Sequence, residues 1–156
     1  MPETPDAGPG IRVIPPLLYL AALAIAFLAD WLWPVAILPP ALQYGVGGVL
    51  VAASVGLALW AAGLFRRAGT PFDVRRAASA LVTCGPYRLS RNPGYVALIG
   101  LCLGIAIMAD NLWVLPAIAV ATWWLDRFVV RLEERHLESR FGDAYRSYRG
   151  QVRRWL

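Results

Sequence analysis

Four long apolar segments constrain this chain more than any other feature of its sequence. A transmembrane helix needs roughly 17–25 mostly apolar residues, and segments of this kind lie at residues 17–33, 41–65, 93–109 and 112–130. Hydrophobic residues make up 58% of the 156 positions, above the roughly 45–50% of soluble domains. The sequence therefore predicts an all-α integral membrane protein with four transmembrane helices.

The arginines predict how these helices are oriented. All fifteen basic residues are arginine, and they lie at position 12, between the second and third segments, or after Trp124. Because positively charged loops stay in the cytoplasm, both termini and the central segment are predicted to be cytoplasmic. The all-arginine composition and the short chain indicate the inner membrane of a bacterium. This topology accounts for the net charge of +5, and no soluble domain gathers the arginines, which argues against nucleic-acid binding.

The spacing of the segments leaves no linker between two domains. Residues 1–12 are polar, acidic and rich in Pro and Gly, which predicts a disordered N-terminal tail followed by a single domain at residues 13–156. A connection of a few residues around 109–111 predicts a tight antiparallel hairpin of the last two helices. The chain after them predicts an amphipathic helical cap on the cytoplasmic face. The two cysteines and one histidine lie on different elements, which argues against a metal site.

Two glycines mark one face of the third predicted helix. Gly100 and Gly104 are spaced i, i+4, so they lie one above the other. Small residues let membrane helices approach closely, which favours a packing role for this face. The alternative is that the glycines keep one side of the helix open for a ligand.

Charged residues recur at helical spacing near the end of the fourth segment. Arg127, Arg131 and Glu134 follow the i, i+4, i+7 pattern of one helix face, while Glu133 and His136 share another face. Ion pairing within the helix, worth about 0.2–0.5 kcal/mol per pair, explains this spacing. The same groups also suit a zwitterionic, nucleotide-like ligand, with arginine for its carboxylate and glutamate for its hydroxyls or ammonium. Spacing does not decide between the two interpretations.

The stretch CGPYRLSRNPGY, residues 84–95, concentrates polar side chains at the start of the third segment. Pro93 suits the first turn of a helix, and Asn92 is predicted to be the N-cap, with its side chain accepting from the first backbone N–H groups. A helix start does not need Tyr87, Arg88 or Arg91. We therefore predict that this stretch forms part of a binding site.

Four features follow one another in a fixed order along the chain. They are LVTCGPYRLSRNPGY at residues 81–95, a glycine-bearing helix, a short connection, and EERHLESRFGDAYRSYRGQVRRW at residues 133–155. Together they resemble the isoprenylcysteine carboxyl methyltransferase family, to which the phospholipid N-methyltransferases are related. The resemblance covers roughly residues 70–155. It implies an integral membrane enzyme that uses S-adenosylmethionine to methylate a lipophilic acceptor, such as the carboxylate of an isoprenylcysteine-like lipid, at the cytoplasmic interface.

The resemblance also implies a set of site residues. The positions expected to bind the cofactor are Leu81, Val82, Tyr87, Arg91, Asn92, Pro93, Gly94, Tyr95 and Glu133. The family's substrate-contacting arginine falls on Val129, so Arg127 or Arg131 is expected to orient the acceptor, with Glu134 on the same face. Asn92 stands where the family commonly has histidine, which excludes a proton-shuttling role at that position.

Two other functions are compatible with the sequence. Sterol reductases resemble this family in their C-terminal half, which implies a membrane reductase with a nicotinamide cofactor. The other alternative is a membrane subunit that keeps the fold without catalysing a reaction.

Overall fold

The structure, a computed structural model, describes residue 10 and residues 13–73 and 75–156. These residues form helices and the turns between them, without a β-strand, so the predicted all-α class is confirmed for the described part of the chain. The predicted disordered tail at residues 1–12 lies outside the described residues, apart from Gly10.

Four helices correspond to the four apolar segments, and they are α1 (Pro15–Leu32), α2 (Pro40–Arg67), α3 (Pro93–Met108) and α4 (Val114–Leu125). Helices α1, α2 and α3 each begin with a proline, a residue whose missing N–H has no cost in the first turn. The chain does not leave its helical path at residue 130, where the fourth segment was predicted to end. It continues through a π-helix at Asp126–Val130 into α5 (Arg131–Phe141), and α6 (Asp143–Gln151) follows after Gly142.

The helices pack as two antiparallel pairs that contact each other through α3. Helix α2 packs along α3, and α1 packs along α4, with further contacts of α3 on α1 and α4. The Tyr19 and Thr122 hydroxyls hydrogen-bond at 2.8 Å, and Asn111 Nδ2 donates to the Ala26 carbonyl at 3.3 Å. These contacts put the start of α1, the end of α2, the start of α3 and the end of α4 at the same end of the molecule.

The close packing of α2 and α3 depends on Gly100 and Gly104. A Cβ atom on Gly104 would lie 2.7 Å from Val51 Cγ2 and 3.0 Å from the Val51 backbone nitrogen. A Cβ atom on Gly100 would lie 2.5 Å from Ser54 Oγ. Of the two roles that the sequence left open for this face, the structure therefore shows packing against α2.

Helices α1 and α2 carry a large outward-facing apolar surface. Both are long and apolar enough to cross a bilayer, whereas α3 is apolar but shorter. Their side chains point away from the protein interior: Trp31 is 78% exposed, Val49 71% and Leu59 69%. A surface of this kind is unfavourable in water and marks contact with lipid or a partner. It indicates that the chain is associated with a membrane.

Candidate functional site

A cavity of about 570 Å³ opens at the end of the molecule where α2 ends and α3 begins. Its volume lies within the roughly 300–1,000 Å³ of typical small-molecule sites. One part is apolar and lies between the start of α1 and the middle of α2 and α3, where its lining includes Ile14, Pro15, Val55, Ala58, Leu59, Ala97 and Leu101. The other part is polar and is lined by residues of the turn before α3 and of α3, α5 and α6, including Arg91, Asn92, Tyr95, Glu133, Glu134, His136, Tyr145 and Tyr148.

The turn that precedes α3 shapes the polar part of the cavity. Gly85 has φ +59°, and a Cβ atom there would lie 2.8 Å from Leu64 Cδ1, so glycine is needed both for the conformation and for the space. The 3₁₀ turn that follows, Gly85–Arg88, buries Tyr87, whose ring lies 5.4 Å from that of Phe65. The ring of Phe65 also meets that of Phe72 edge-on at 5.3 Å. Aromatic rings therefore form one wall.

Asn92 occupies the N-cap position of α3, as predicted, but its side chain makes no capping hydrogen bond. Its Nδ2 atom donates to the Arg154 carbonyl at 2.9 Å. The prediction that this side chain caps the helix was therefore wrong, because a tertiary acceptor from the C-terminus takes the amide. Asn92 joins the start of α3 to the end of the chain.

The π-helix changes which residues of the last helices share a face. A π turn contains more residues than an α turn, so spacing along an ideal α-helix no longer predicts side-chain direction across it. Arg127 and Arg131 are exposed while Glu134 is buried, and Arg131 pairs with Asp126 at 3.4 Å. The predicted common face of Arg127, Arg131 and Glu134 is therefore not formed.

Glu134 lies at the centre of a buried ion-pair cluster. Its Oε1 atom is 3.2 Å from Arg91 Nη2, and its Oε2 atom accepts from Arg154 Nη2 at 2.6 Å. The side chains of Arg91 and Glu134 are each only 10% exposed. Arg91 nevertheless retains two buried donors, Nε and Nη1, that have no hydrogen-bond partner among the described residues. Buried donors without partners are unfavourable, so this part of the cavity is suited to an anionic group.

The second carboxylate of the pair, Glu133, also lines the cavity. It accepts a hydrogen bond from the Tyr95 hydroxyl at 3.1 Å. Burial raises the pKa of Glu133 to about 7, although the Tyr95 hydrogen bond lowers it, and the neighbouring Glu134 charge adds to the rise. Burial disfavours the charged form of this carboxyl group, and a cationic group beside it would stabilise that charged form. The cavity thus presents an anion-binding arginine and a cation-binding glutamate.

Nine of the twelve predicted site residues line the cavity, and they are Leu81, Val82, Tyr87, Arg91, Asn92, Gly94, Tyr95, Glu133 and Glu134. Pro93 is buried at the first turn of α3 and Arg127 and Arg131 face outward, so these three do not line it. The structure adds Phe65 and Phe72 to the lining and Arg154 to the ion-pair cluster, and the sequence indicated no role for these three residues. The only sequence signal for the last of these was its place in the C-terminal part of the resembling motif.

The raised pKa of Glu133 predicts a pH-dependent stability. The folded carboxyl titrates near 7 and its ordinary pKa is 4.5, so between these values the folded state binds more protons than the unfolded state. Stability therefore falls as the pH rises from about 5 to 8. Glu133→Gln should reduce the dependence of stability on pH, measured by thermal unfolding of the detergent-solubilised protein at several pH values. Glu138→Gln is the matched control, since Glu138 on the same helix forms a surface ion pair with Arg149 at 3.0 Å. Equal slopes in the two variants would contradict the prediction.

Among the described residues, no group of three or more His, Cys, Asp or Glu side chains is placed to hold a metal ion. The polar part of the cavity is instead built from two carboxylates, arginine, asparagine and tyrosines.

The chain is similar to known proteins over parts of its length. The family model described as phospholipid methyltransferase matches residues 42–144. An uncharacterized protein of Haemophilus influenzae is 34% identical over 62 residues, which are 40% of this chain and 98% of that protein. A protein-S-isoprenylcysteine O-methyltransferase of Tribolium castaneum is 36% identical over 72 residues, 46% of this chain and 26% of the relative.

A third relative is the cobalt-zinc-cadmium resistance protein CzcN of Cupriavidus metallidurans, 42% identical over 64 residues, which are 40% of this chain and 29% of that protein. The chain therefore spans less than a third of the length of the two relatives with functional names. No solved structure matches it.

Proposed function

The chain belongs to the phospholipid methyltransferase family, and from this premise we propose that it transfers a methyl group from S-adenosylmethionine to a lipophilic acceptor at the cytoplasmic face of the membrane. The observation that carries the proposal is the two-part cavity. Unpartnered donors of Arg91 and the Glu133 carboxylate lie in its polar part, and its apolar part lies between helices that face lipid.

The residues of the polar part fit S-adenosylmethionine. Its amino-acid end carries a carboxylate and an ammonium, which match the free donors of Arg91 and the carboxylate of Glu133. The Phe65, Phe72 and Tyr87 rings and Leu81 and Val82 offer an apolar surface for its adenosine. When bound, the cofactor supplies an electrophilic methyl group on a sulfonium.

The apolar part of the cavity suits the hydrocarbon portion of an acceptor. Helix α1 packs on α4 and α3, and α2 on α3, but α1 does not pack along α2 among the described residues. Val55 and Leu59 line the cavity and are also 43% and 69% exposed. The gap between α1 and α2 therefore gives a lipid a lateral route to the cavity.

Positioning is the main catalytic contribution that these residues can make. Holding a nucleophile about 3–3.5 Å from the methyl group in line with the departing sulfur supplies roughly 7–11 kcal/mol. A carboxylate acceptor, as in an isoprenylcysteine-like lipid, is ionised at neutral pH and needs no general base, whereas an amine acceptor must first lose a proton. We favour O-methylation for this reason.

An acidic acceptor needs a positive group near the cavity. Arg127 and Arg131, predicted for this role, lie outside the lining. Arg75 and Arg76 line the cavity, and Arg75 is already paired with Asp73 at 2.6 Å. Arg76 has no ion-pair partner among the described residues and is the better placed candidate.

The proposed setting is the inner membrane of a bacterium, with four transmembrane helices, α3 and α4 as a tight hairpin, and both termini in the cytoplasm. The cavity opens at the end of the molecule that holds the central arginine-rich segment. Positively charged segments stay on the cytoplasmic side, where S-adenosylmethionine is available.

A labelled-methyl assay tests the proposal. The purified protein, reconstituted with a lipid extract and S-adenosylmethionine carrying a radiolabelled methyl group, should place label in a lipid, and mass spectrometry of that lipid names the acceptor. Calorimetry with S-adenosylhomocysteine and with NADPH separates the alternatives. A heat of binding with NADPH but not with S-adenosylhomocysteine would support a reductase. No heat of binding with either ligand would support a non-catalytic subunit.

A further inference from the structure

The last residues of the chain form a strap across the turn that begins α3. After α6, residues 152–155 leave the helix and lie beside residues 90–92. The Arg91 backbone N–H donates to the Arg153 carbonyl at 2.9 Å. Asn92 Nδ2 and Ser90 Oγ donate to the Arg154 carbonyl at 2.9 Å and 3.2 Å. The strap lies outside residues 42–144, which match the family.

The strap also places one side chain in the ion-pair cluster. Arg154 Nε donates to Glu134 Oε1 at 3.0 Å and Nη2 donates to Oε2 at 2.6 Å, which is the bidentate geometry of strong arginine–carboxylate pairs. Its Nη1 atom donates to Asp126 Oδ1 at 3.3 Å, and Trp155 Nε1 donates to the same oxygen at 3.2 Å. Arg154 is therefore held from two sides.

This pairing decides what remains for Arg91. Arg154 engages both oxygens of Glu134, whereas the shortest approach of Arg91 to that carboxylate is from Nη2 to Oε1 at 3.2 Å. The Nε and Nη1 donors of Arg91 stay buried and have no hydrogen-bond partner within residues 13–73 and 75–156. The Tyr145 hydroxyl also interacts with Arg91, but a neutral phenol oxygen is a weaker partner for a guanidinium than an ionised carboxylate. Without Arg154, both oxygens of Glu134 would be available to Arg91 as a bidentate partner.

We propose that Arg154 is a positioning residue: by occupying Glu134, it keeps the Nε and Nη1 donors of Arg91 available for the carboxylate at the amino-acid end of the cofactor. This rests on the proposed function, because it concerns how the same cavity recognises S-adenosylmethionine. Arg154 does not itself line the cavity. Its removal should therefore affect recognition of one part of the ligand only.

Calorimetry with two ligands tests the role of Arg154. S-adenosylhomocysteine carries the amino-acid end, and methylthioadenosine has the adenosine and sulfur without it. Loss of one charged hydrogen bond weakens binding by about tenfold. Arg154→Ala should therefore lower the affinity for S-adenosylhomocysteine by this factor and leave the affinity for methylthioadenosine unchanged. In an Arg91→Ala background, Arg154→Ala should have no further effect. Arg153→Ala is the matched control, since it removes the same charge from an exposed position of the strap.

The outcomes separate the inference from the function on which it rests. If the unaltered protein does not bind S-adenosylhomocysteine, the proposed function fails. If the unaltered protein binds it, the positioning role is overturned when Arg154→Ala lowers the affinities for both ligands equally or lowers neither affinity. Should Arg154→Ala unfold, Arg154→Lys keeps the charge without the bidentate fork. A selective loss for S-adenosylhomocysteine in that variant supports the role, and equal effects on both ligands overturn it.

Discussion

Arg91→Ala should weaken binding of S-adenosylhomocysteine by about 100-fold, because removing one partner of a buried charged pair costs roughly 2–5 kcal/mol. The Arg91 side chain is 10% exposed and contacts Glu134 at 3.2 Å. Its Nε and Nη1 donors have no hydrogen-bond partner in the part of the chain that the structure describes. In the proposed complex those donors meet the carboxylate of the ligand. The loss should appear in calorimetry and as an equal loss of methyl transfer at limiting cofactor concentration.

Arg88→Ala is the matched control for Arg91→Ala. Arg88 belongs to the same polar stretch but is exposed and does not line the cavity, so its removal should leave affinity within about twofold, as for most surface substitutions. Methylthioadenosine should bind both variants alike. A similar loss of S-adenosylhomocysteine affinity in Arg88→Ala and Arg91→Ala would show that net positive charge, and not the buried guanidinium, attracts the cofactor.

Much of the cavity lining could be predicted because its residues lie close together in the sequence and match the resembling motif. The stretch at residues 81–95 crosses one turn and enters α3. Its residues are neighbours in the sequence, so their side chains lie near one another whichever elements pack against the helix. Tyr87, Arg91, Asn92 and Tyr95 accordingly all line the cavity. The apolar segments were equally informative, since each contains a helix whose start is marked by proline or by a short turn.

Residues that reach the site through tertiary contacts could not be predicted in this way. Asn92 reads locally as a helix cap, yet its amide binds a carbonyl 62 positions later in the chain. Glu134 was expected on one helix face with Arg127 and Arg131, but the π-helix at Asp126–Val130 separates Arg127 from the other two. Arg131 pairs with Asp126 instead, and Arg154 is the partner of Glu134. A π turn has no reliable residue signature, so spacing alone could not reveal the change.

The acceptor half of the cavity makes a prediction independent of the cofactor half. Ala58 on α2 lines the apolar part, near the gap between α1 and α2, and a tryptophan there would occupy the space proposed for the acceptor's hydrocarbon. Overpacking of a fitted apolar space costs about 1–3 kcal/mol, so Ala58→Trp should reduce methyl transfer to a long-chain acceptor by about 10- to 100-fold. Binding of S-adenosylhomocysteine, which uses the polar part, should not change.

Ala53→Trp provides the control, because Ala53 is an exposed position on the same helix that does not line the cavity. It adds the same side chain on a lipid-facing surface and should leave transfer unchanged. Acceptors of decreasing chain length sharpen the comparison, since a short acceptor avoids the blocked space and should recover activity in Ala58→Trp. Equal activity of the two variants toward a long-chain acceptor would mean that the hydrocarbon does not enter between α1 and α2. The lipid-facing gap would then have no part in the reaction.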